Sequence, residues 1–338
     1  MVQGWILENE KTITILIPCF NESEVLPLLY ERLRQLPHPE GCRISILFVD
    51  DGSTDNTWEQ LRSFTVEQSD WNAIRLSRNF GHQRALWVGL ENTNSDAVFV
   101  IDADLQDPPE LIADFAALWL AGADVVYGVR TKRKESLIKR LAYNSFYRIL
   151  DRVADIKIPL DSGDFCLMDR RVVQAILTSK ESLPFIRGLR AWVGFNQQPL
   201  SYERDSRAAG KEKYSFLMLL DLAINGLLGY SRKPIRLISF MAGALILLST
   251  LILAGGAFGL MASLLSATTF TILAFAALAL VSAGSITGAI GIVGEYVLKI
   301  YEGSSERPVA IMSETTMGNL AFERGAKIIS IGIDRKAA

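Results

Sequence analysis

Apolar runs of strand length recur along the first part of the chain, at residues 12–18, 44–50, 73–77, 97–102 and 124–128. Each is bounded by polar or turn-forming residues, the pattern of strands covered on both faces. Helical start signals fill the gaps. Residues 56–68 follow Ser53 and Thr54, and residues 108–120 follow Asp107 and open on Pro108. Repeated strand-helix-strand predicts an α/β domain with a mostly parallel sheet and helices on both faces.

The pattern changes abruptly at residue 237, after which no charged residue occurs up to 294. A membrane-crossing helix needs about 20 mostly apolar residues, so this stretch has room for two. The polar interruption at 263–269 reads as the turn of a hairpin, giving expected spans at 237–261 and 270–298. A buried helical pair in a soluble core is the competing reading, but such a core would rarely forgo every charge. Lys211, Lys213, Arg232, Lys233 and Arg236 precede the first span, and Lys299 and Arg307 follow the second. Basic flanks stay cytoplasmic, which predicts a multi-pass inner-membrane protein with both termini and the large domain in the cytoplasm. The expected organisation is a catalytic domain at 1–231, a transmembrane hairpin at 232–302 and a cytoplasmic tail at 303–338. Gly255 with Gly259, and Gly284 with Gly288, form small-residue faces suited to helix packing and to homo-oligomerisation.

Segments 136–153 and 214–230 mix Lys or Arg with Leu, Ile, Phe and Tyr at helical spacing. Either they lie in the membrane interface or they are ordinary core-facing amphipathic helices. The basic and acidic residues, 35 against 37, nearly cancel, so no global charge draws the chain to nucleic acid. Cys19, Cys42 and Cys166 lack the spacing of a zinc site or a disulfide framework. The first residues carry Glu8 and Glu10 ahead of a short apolar run, which predicts no secretory signal.

In an open parallel sheet, ligands bind beyond the carboxyl ends of the strands. There the chain places Pro18-Cys19-Phe20-Asn21-Glu22, Asp50-Asp51-Gly52-Ser53 and Asp102-Ala103-Asp104-Leu105-Gln106-Asp107. Carboxylates one residue apart at a strand end can approach one Mg²⁺ or Mn²⁺, with substrate phosphate completing the shell. Asp51 suits a base or ribose, or caps a helix; Phe20 can stack on a base, and Glu22 can accept hydrogen bonds from it. Neither a Gly-x-Gly-x-x-Gly turn nor a phosphate-binding Gly-x-x-x-x-Gly-Lys loop is present, which argues against a dinucleotide oxidoreductase and a P-loop enzyme. With only His38 and His82, a Ser-His-Asp set is implausible. His38 is expected at the surface, and His82 is at least as suited to structure as to substrate contact.

These segments, together with Arg78-Asn79-Phe80-Gly81-His82 and the ending Gly294-Glu295-Tyr296, Tyr301-Glu302 and Arg307-Pro308, resemble glycosyltransferase family 2. More narrowly they are similar to its polyprenyl-phosphate branch, which holds the bactoprenol glucosyltransferases and dolichyl-phosphate mannose synthases. The resemblance runs to about Val309. It implies a GT-A fold in which Pro18, Phe20, Glu22, Val49 and Asp51 cradle the nucleoside, Asp104 and Gln106 approach the metal, and Asp102 and Ala103 support them. Phe20 stands where Tyr is frequent, which keeps stacking and loses a hydroxyl. The resemblance also places Arg130, Arg207 and Lys213 around the phosphates. Ala208 and Glu212 depart from the usual pattern of that last loop.

A donor diphosphate beside an acceptor phosphate calls for fixed cations, and Arg140 joins Arg130, Arg207 and Lys213 as a candidate. The expected reaction is inverting transfer of glucose from UDP-glucose to a polyprenyl phosphate, with GDP-mannose and UDP-aminoarabinose as alternative donors. The acceptor oxygen is already anionic and needs positioning more than a base. Should a base be used, Asp164 is preferred over Asp161, although Asp161-Ser162-Gly163-Asp164 also reads as a turn. Two other readings compete: a polysaccharide synthase, which needs more spans, and a non-catalytic membrane adaptor, which needs no Asp-x-Asp.

Overall fold

The computed structural model describes residues 10–130, 162–179, 184–203, 267–304 and 308–317, together with 244, 245, 247, 251, 254 and 255. The chain divides into two units, one of Met1–Ala142, Ile158–Ser215 and Glu306–Ala338, the other of Tyr143–Lys157 and Phe216–Ser305.

In the first unit the chain runs β1 (Lys11–Cys19), α1 (Leu26–Arg34), β2 (Cys42–Asp50), α2 (Thr57–Glu67), β3 (Trp71–Leu76), α3 (His82–Glu91) and β4 (Ala97–Val100). A 3-10 turn at Pro109–Leu111 leads into α4 (Ile112–Leu120), then β5 (Val125–Arg130). After 161 come β6 (Ser162–Asp169), α5 (Arg170–Thr178), α6 (Ile186–Trp192) and β7 (Gln197–Tyr202), and the sheet closes with β8 (Met312–Thr315). Strand order is β7-β5-β6-β4-β1-β2-β3-β8. Pairs among β4, β1, β2 and β3, and the β5–β7 pair, are parallel, whereas β6 runs against β4 and β5, and β8 against β3. This is the mostly parallel, GT-A-like α/β sheet expected, and each of the five strands anticipated is present within a few residues.

β1 lies at the centre with Ile13 through Cys19 all buried. Ile13, Ile15 and Ile17 pack with Leu29 of α1, Leu61 of α2 and Phe115 of α4, while Leu16 packs on the other face with Leu86 of α3, Val172 of α5 and Leu189 of α6. Two apolar faces are why the strand reads as a continuous apolar run. Gly89 lets α3 press close, since a Cβ there would fall 2.1 Å from Leu16 Cδ1. The helix expected at 108–120 instead begins as the 3-10 turn, and neither α2 nor α4 has a side-chain hydrogen bond at its cap.

β6 and β8 were not anticipated. Reversal of β6 brings Ser162, Gly163 and Asp164 to the edge where β4 and β5 end, with Val100 opposite Cys166 and Val129 opposite Ser162. The segment expected as a tail at 303–338 supplies β8, which pairs with β3.

In the second unit, α7 (Ala267–Ser304) contains Val281–Leu298, whose mean hydropathy of 1.4 makes it long and apolar enough to cross a membrane. Residues 267–269, expected in the hairpin turn, are already helical. Most of the expected first span lies outside the described residues, as do Gly259 and the segments 136–153 and 214–230. A Cβ at Gly284 or Gly288 would meet no described atom within 4 Å.

Candidate active site

The ends of β1, β2, β4, β5 and β7 and the start of β6 meet at one edge of the sheet, and the polar residues cluster there. After β4 the exposure alternates: Asp102, Asp104 and Gln106 are partly exposed, whereas Ala103, Leu105 and Asp107 are buried. Leu105 has φ 58°, a left-handed conformation costly for a bulky residue, and its 3% exposed side chain is pinned in the core. That pin turns the flanking Asp104 and Gln106 outward together. Asp104 Oδ1 accepts from the Gln106 backbone N–H at 3.1 Å, which tightens the turn.

At the ends of β1 and β2, Pro18 and Val49 are buried and Phe20 and Glu22 are partly exposed. Asp51 accepts from the backbone N–H groups of Phe80 at 2.7 Å and Gly81 at 2.9 Å, so, buried as it is, it shapes the 78–81 loop. Burial pushes its carboxyl up against those two bonds. Asp50 Oδ1 accepts from Ser53 N, the Ser53 hydroxyl accepts from Asn21 N, and Asn21 Oδ1 accepts from Thr54 N. These bonds lace the loops after β1 and β2 into one body. Gly52 is needed within it: φ is +67°, and a Cβ would sit 2.3 Å from the Arg78 carbonyl carbon.

Asp164 lies at the start of β6 with its side chain 10% exposed. Its Oδ2 is 3.3 Å from His82 Nε2, 3.4 Å from Arg187 Nη2 and accepts from Gln83 Nε2 at 3.1 Å. Burial opposes its ionisation, but Arg187, His82 and Arg190 together hold the carboxyl well below the usual range. His82 also stands 3.8 Å from Asp102 Oδ1. Burial alone would lower His82, yet Asp164 and Asp102 bring it up to about 9. Desolvation, with Asp107, Asp164 and Asp104 nearby, pushes Asp102 up to about 6 despite His82. A carboxylate crowded this way gains from a cation, and one or two carboxylates with substrate phosphate suffice for Mg²⁺. Asp102, Asp104 and Gln106 therefore fit a divalent ion shared with a diphosphate, although no group of three or more His, Cys, Asp or Glu forms a ready-made cage among the described residues.

Arg130, expected at the phosphates, is tied from below. Its Nε donates to the Tyr202 hydroxyl at 3.3 Å, its Nη2 lies 3.8 Å from Asp107 Oδ2, and it rests over Gly163. Arg140, Arg207, Lys213 and Asp161 lie outside the described residues. His38 is exposed, as anticipated. The roles of Gln83, Arg187, Asp107 and Tyr202 were not anticipated. Two arginines, Arg187 and Arg190, in an otherwise apolar helix were the available signal for Arg187.

A model of the family described as glycosyl transferase family 2 matches residues 14–177. The glycosyltransferase YkcC of Bacillus subtilis is 39% identical over 309 residues, 89% of this chain and 93% of that relative. The bactoprenol glucosyl transferase of Shigella phage SfII is 33% identical over 318 residues, 91% of this chain and 99% of its own. Among solved structures, a mannosyltransferase of Pyrobaculum calidifontis in complex with GDP-Man and Mn2+ aligns at 17% identity over 89% of this chain and 88% of that one, with a TM-score of 0.46.

Proposed function

The chain belongs to glycosyltransferase family 2, and from that premise we propose that it transfers glucose from UDP-glucose to a polyprenyl phosphate at the cytoplasmic face of the inner membrane, with inversion at the anomeric carbon. The observation that carries this reading is the cluster of outward-turned Asp102, Asp104 and Gln106 beside the loops after β1 and β2, in a chain similar over 91% of its length to a bactoprenol glucosyl transferase. The chain's uncharged stretch and basic flanks support membrane attachment with the catalytic domain and both termini in the cytoplasm, and the Gly255/Gly259 and Gly284/Gly288 faces support a homo-oligomer held by the membrane helices.

In this reading Phe20, Glu22, Val49 and Asp51 hold the base and ribose, with Pro18 fixing the strand end beneath them. Asp104 and Gln106 face the diphosphate with Asp102 and Ala103 behind. A divalent ion bound there would neutralise the leaving diphosphate. Arg130 faces the phosphates from its seat on Asp107 and Tyr202, and Arg140, Arg207 and Lys213 supply the remaining positive charge. Asp164, ionised and bonded to His82 and Gln83, is a weak proton acceptor. Its work is to orient the acceptor side of the site, because an anionic phosphate nucleophile needs alignment more than deprotonation.

The test is transfer of radiolabelled sugar to polyprenyl phosphate by the purified full-length protein, comparing UDP-glucose with GDP-mannose in Mg²⁺, in Mn²⁺ and in EDTA. Glycolipid formed from UDP-glucose, abolished by EDTA and by Asp104→Ala, is the expected result. Product from GDP-mannose alone would overturn the donor, and transfer undiminished in EDTA would overturn the metal.

A further inference from the structure

Glu314 of β8 has both carboxylate oxygens engaged, one on the sheet and one on α2: Oε1 is 3.2 Å from Arg75 Nη1, and Oε2 accepts from the Trp58 indole N–H at 3.2 Å. Arg75, on β3, is a junction. Its Nε lies 3.4 Å from Asp50 Oδ2, its Nη2 donates to the Ser53 carbonyl at 3.3 Å, and its guanidinium sits 5.7 Å from the Trp58 ring centroid. Each guanidinium nitrogen thus faces a different acceptor, and Asp50 and Ser53 belong to the loop that carries Asp51.

We infer that β8, the strand following the membrane-spanning segment in the chain, is part of the nucleoside pocket, with Arg75 as the positioning residue through which Glu314 holds the 50–54 loop. An exposed ion pair by itself would contribute little. This one differs because Asp50 is fully buried and Arg75 is only 27% exposed. A buried carboxylate tolerates its charge only while a cation stays in register with it. Glu314 and Trp58 fix the outer side of the guanidinium and so keep its inner side on Asp50. From there the path is short: Asp50 accepts from Ser53 N, Ser53 from Asn21 N, and Asn21 from Thr54 N, with Phe20 and Glu22 flanking Asn21. Paired strands and a three-way guanidinium connect the chain after the membrane segment to the residues that meet the base.

The inference rests on the proposed function only for the identity of the ligand, so its test has two readouts on the full-length protein. Amide hydrogen exchange at Asn21, Ser53 and Thr54, without nucleotide, reads the relay. Binding of UDP reads the pocket. Glu314→Ala and Arg75→Ala should each speed exchange at those amides and weaken UDP binding roughly three- to tenfold, the double variant doing no more than Arg75→Ala alone. Glu314→Gln, which keeps one acceptor oxygen for Arg75 and loses the one that faces Trp58, should recover part of the protection. Arg43→Ala, which removes an exposed ion pair to Asp70, should leave all three amides unchanged. Unchanged exchange in both alanine variants, or additive effects of the two, overturns the relay. Faster exchange in a protein whose wild type binds no UDP upholds the relay and overturns the donor assignment instead.

Discussion

The Tyr202 hydroxyl donates to Asp107 Oδ1 over 2.5 Å, joining the last residue of β7 to the loop after β4 inside the protein. Tyr202 is 5% and Asp107 2% exposed, so neither has water to fall back on. Arg130 closes the arrangement by bonding to the same hydroxyl and facing the same carboxylate. Tyr202→Phe keeps the ring stacked edge-on against Phe165 and removes only the oxygen. Leaving Asp107 short of a donor should cost about 1–3 kcal/mol of stability, measured by urea unfolding. Arg130 should lose its lateral restraint, so turnover should fall more than nucleotide binding. Equal stability in wild type and variant would show that the other partners of Asp107 satisfy it without the Tyr202 hydroxyl.

Gly52 lies close against the Arg78 main chain just beyond β2. Gly52→Ala combines a left-handed backbone with a Cβ driven into the Arg78 main chain, which no rotamer change can relieve. The expected loss is about 3 kcal/mol or more. Circular dichroism melting should show it, and UDP binding at a temperature where the variant is still folded should be weakened. A variant that melts and binds like wild type would mean that the Arg78–Asn79 segment moves aside readily.

The alternation of apolar runs and helix starts made the parallel half of the sheet legible, because most residues of those strands are apolar and buried, and the few polar ones, such as Thr14 and Arg75, do not break the runs. β6 was hidden for the opposite reason. It opens on Ser162-Gly163-Asp164, a turn-like triplet that is in fact the start of a strand. β8 is a four-residue edge strand, too short to carry a period. Spacing at a strand end singled out Asp102 and Asp104, and the family resemblance added Gln106, but the Gln83, Arg187 and Tyr202 contacts were not legible. Residues separated by 81 positions, as Gln83 and Asp164 are, meet only through the reversal of β6.

Asp169 illustrates how acid should act on the fold. It caps α5 by accepting from Arg171 N at 2.9 Å, and it also accepts from the Trp119 indole at 2.9 Å. Burial raises its carboxyl, but these bonds and the Arg171 guanidinium outweigh that and hold it below its ordinary value. A depressed folded-state value adds stability that is fully present above the unfolded-state value and is lost as pH falls through the folded one. Asp169→Ala should therefore cost about 1–2 kcal/mol near neutrality, and the gap to wild type should narrow as the pH drops through and below the usual aspartate range. Unfolding curves at several pH values test this, and a gap that stays constant with pH would rule out the charge as its source.

Gln83 offers the sharpest separation of positioning from packing. Its Oε1 accepts from the backbone N–H of Ile186 at 2.8 Å, which fixes the amide's orientation and leaves Nε2 to donate to Asp164 at 3.1 Å. One side chain thus ties the start of α6, which carries Arg187, to the carboxylate that Arg187 faces. Gln83→Leu preserves most of the volume and removes both bonds, so Asp164 should shift relative to Arg187 and His82. A displacement of about 1 Å at a reacting centre costs up to roughly a hundredfold in rate, so kcat should fall about ten- to a hundredfold while KM for the nucleotide sugar changes little. Gln83→Glu should be worse than Gln83→Leu, because Ile186 keeps its acceptor while a second negative charge is set against Asp164 Oδ2. A rise in donor KM at constant kcat would instead move Gln83 to the nucleotide side of the site.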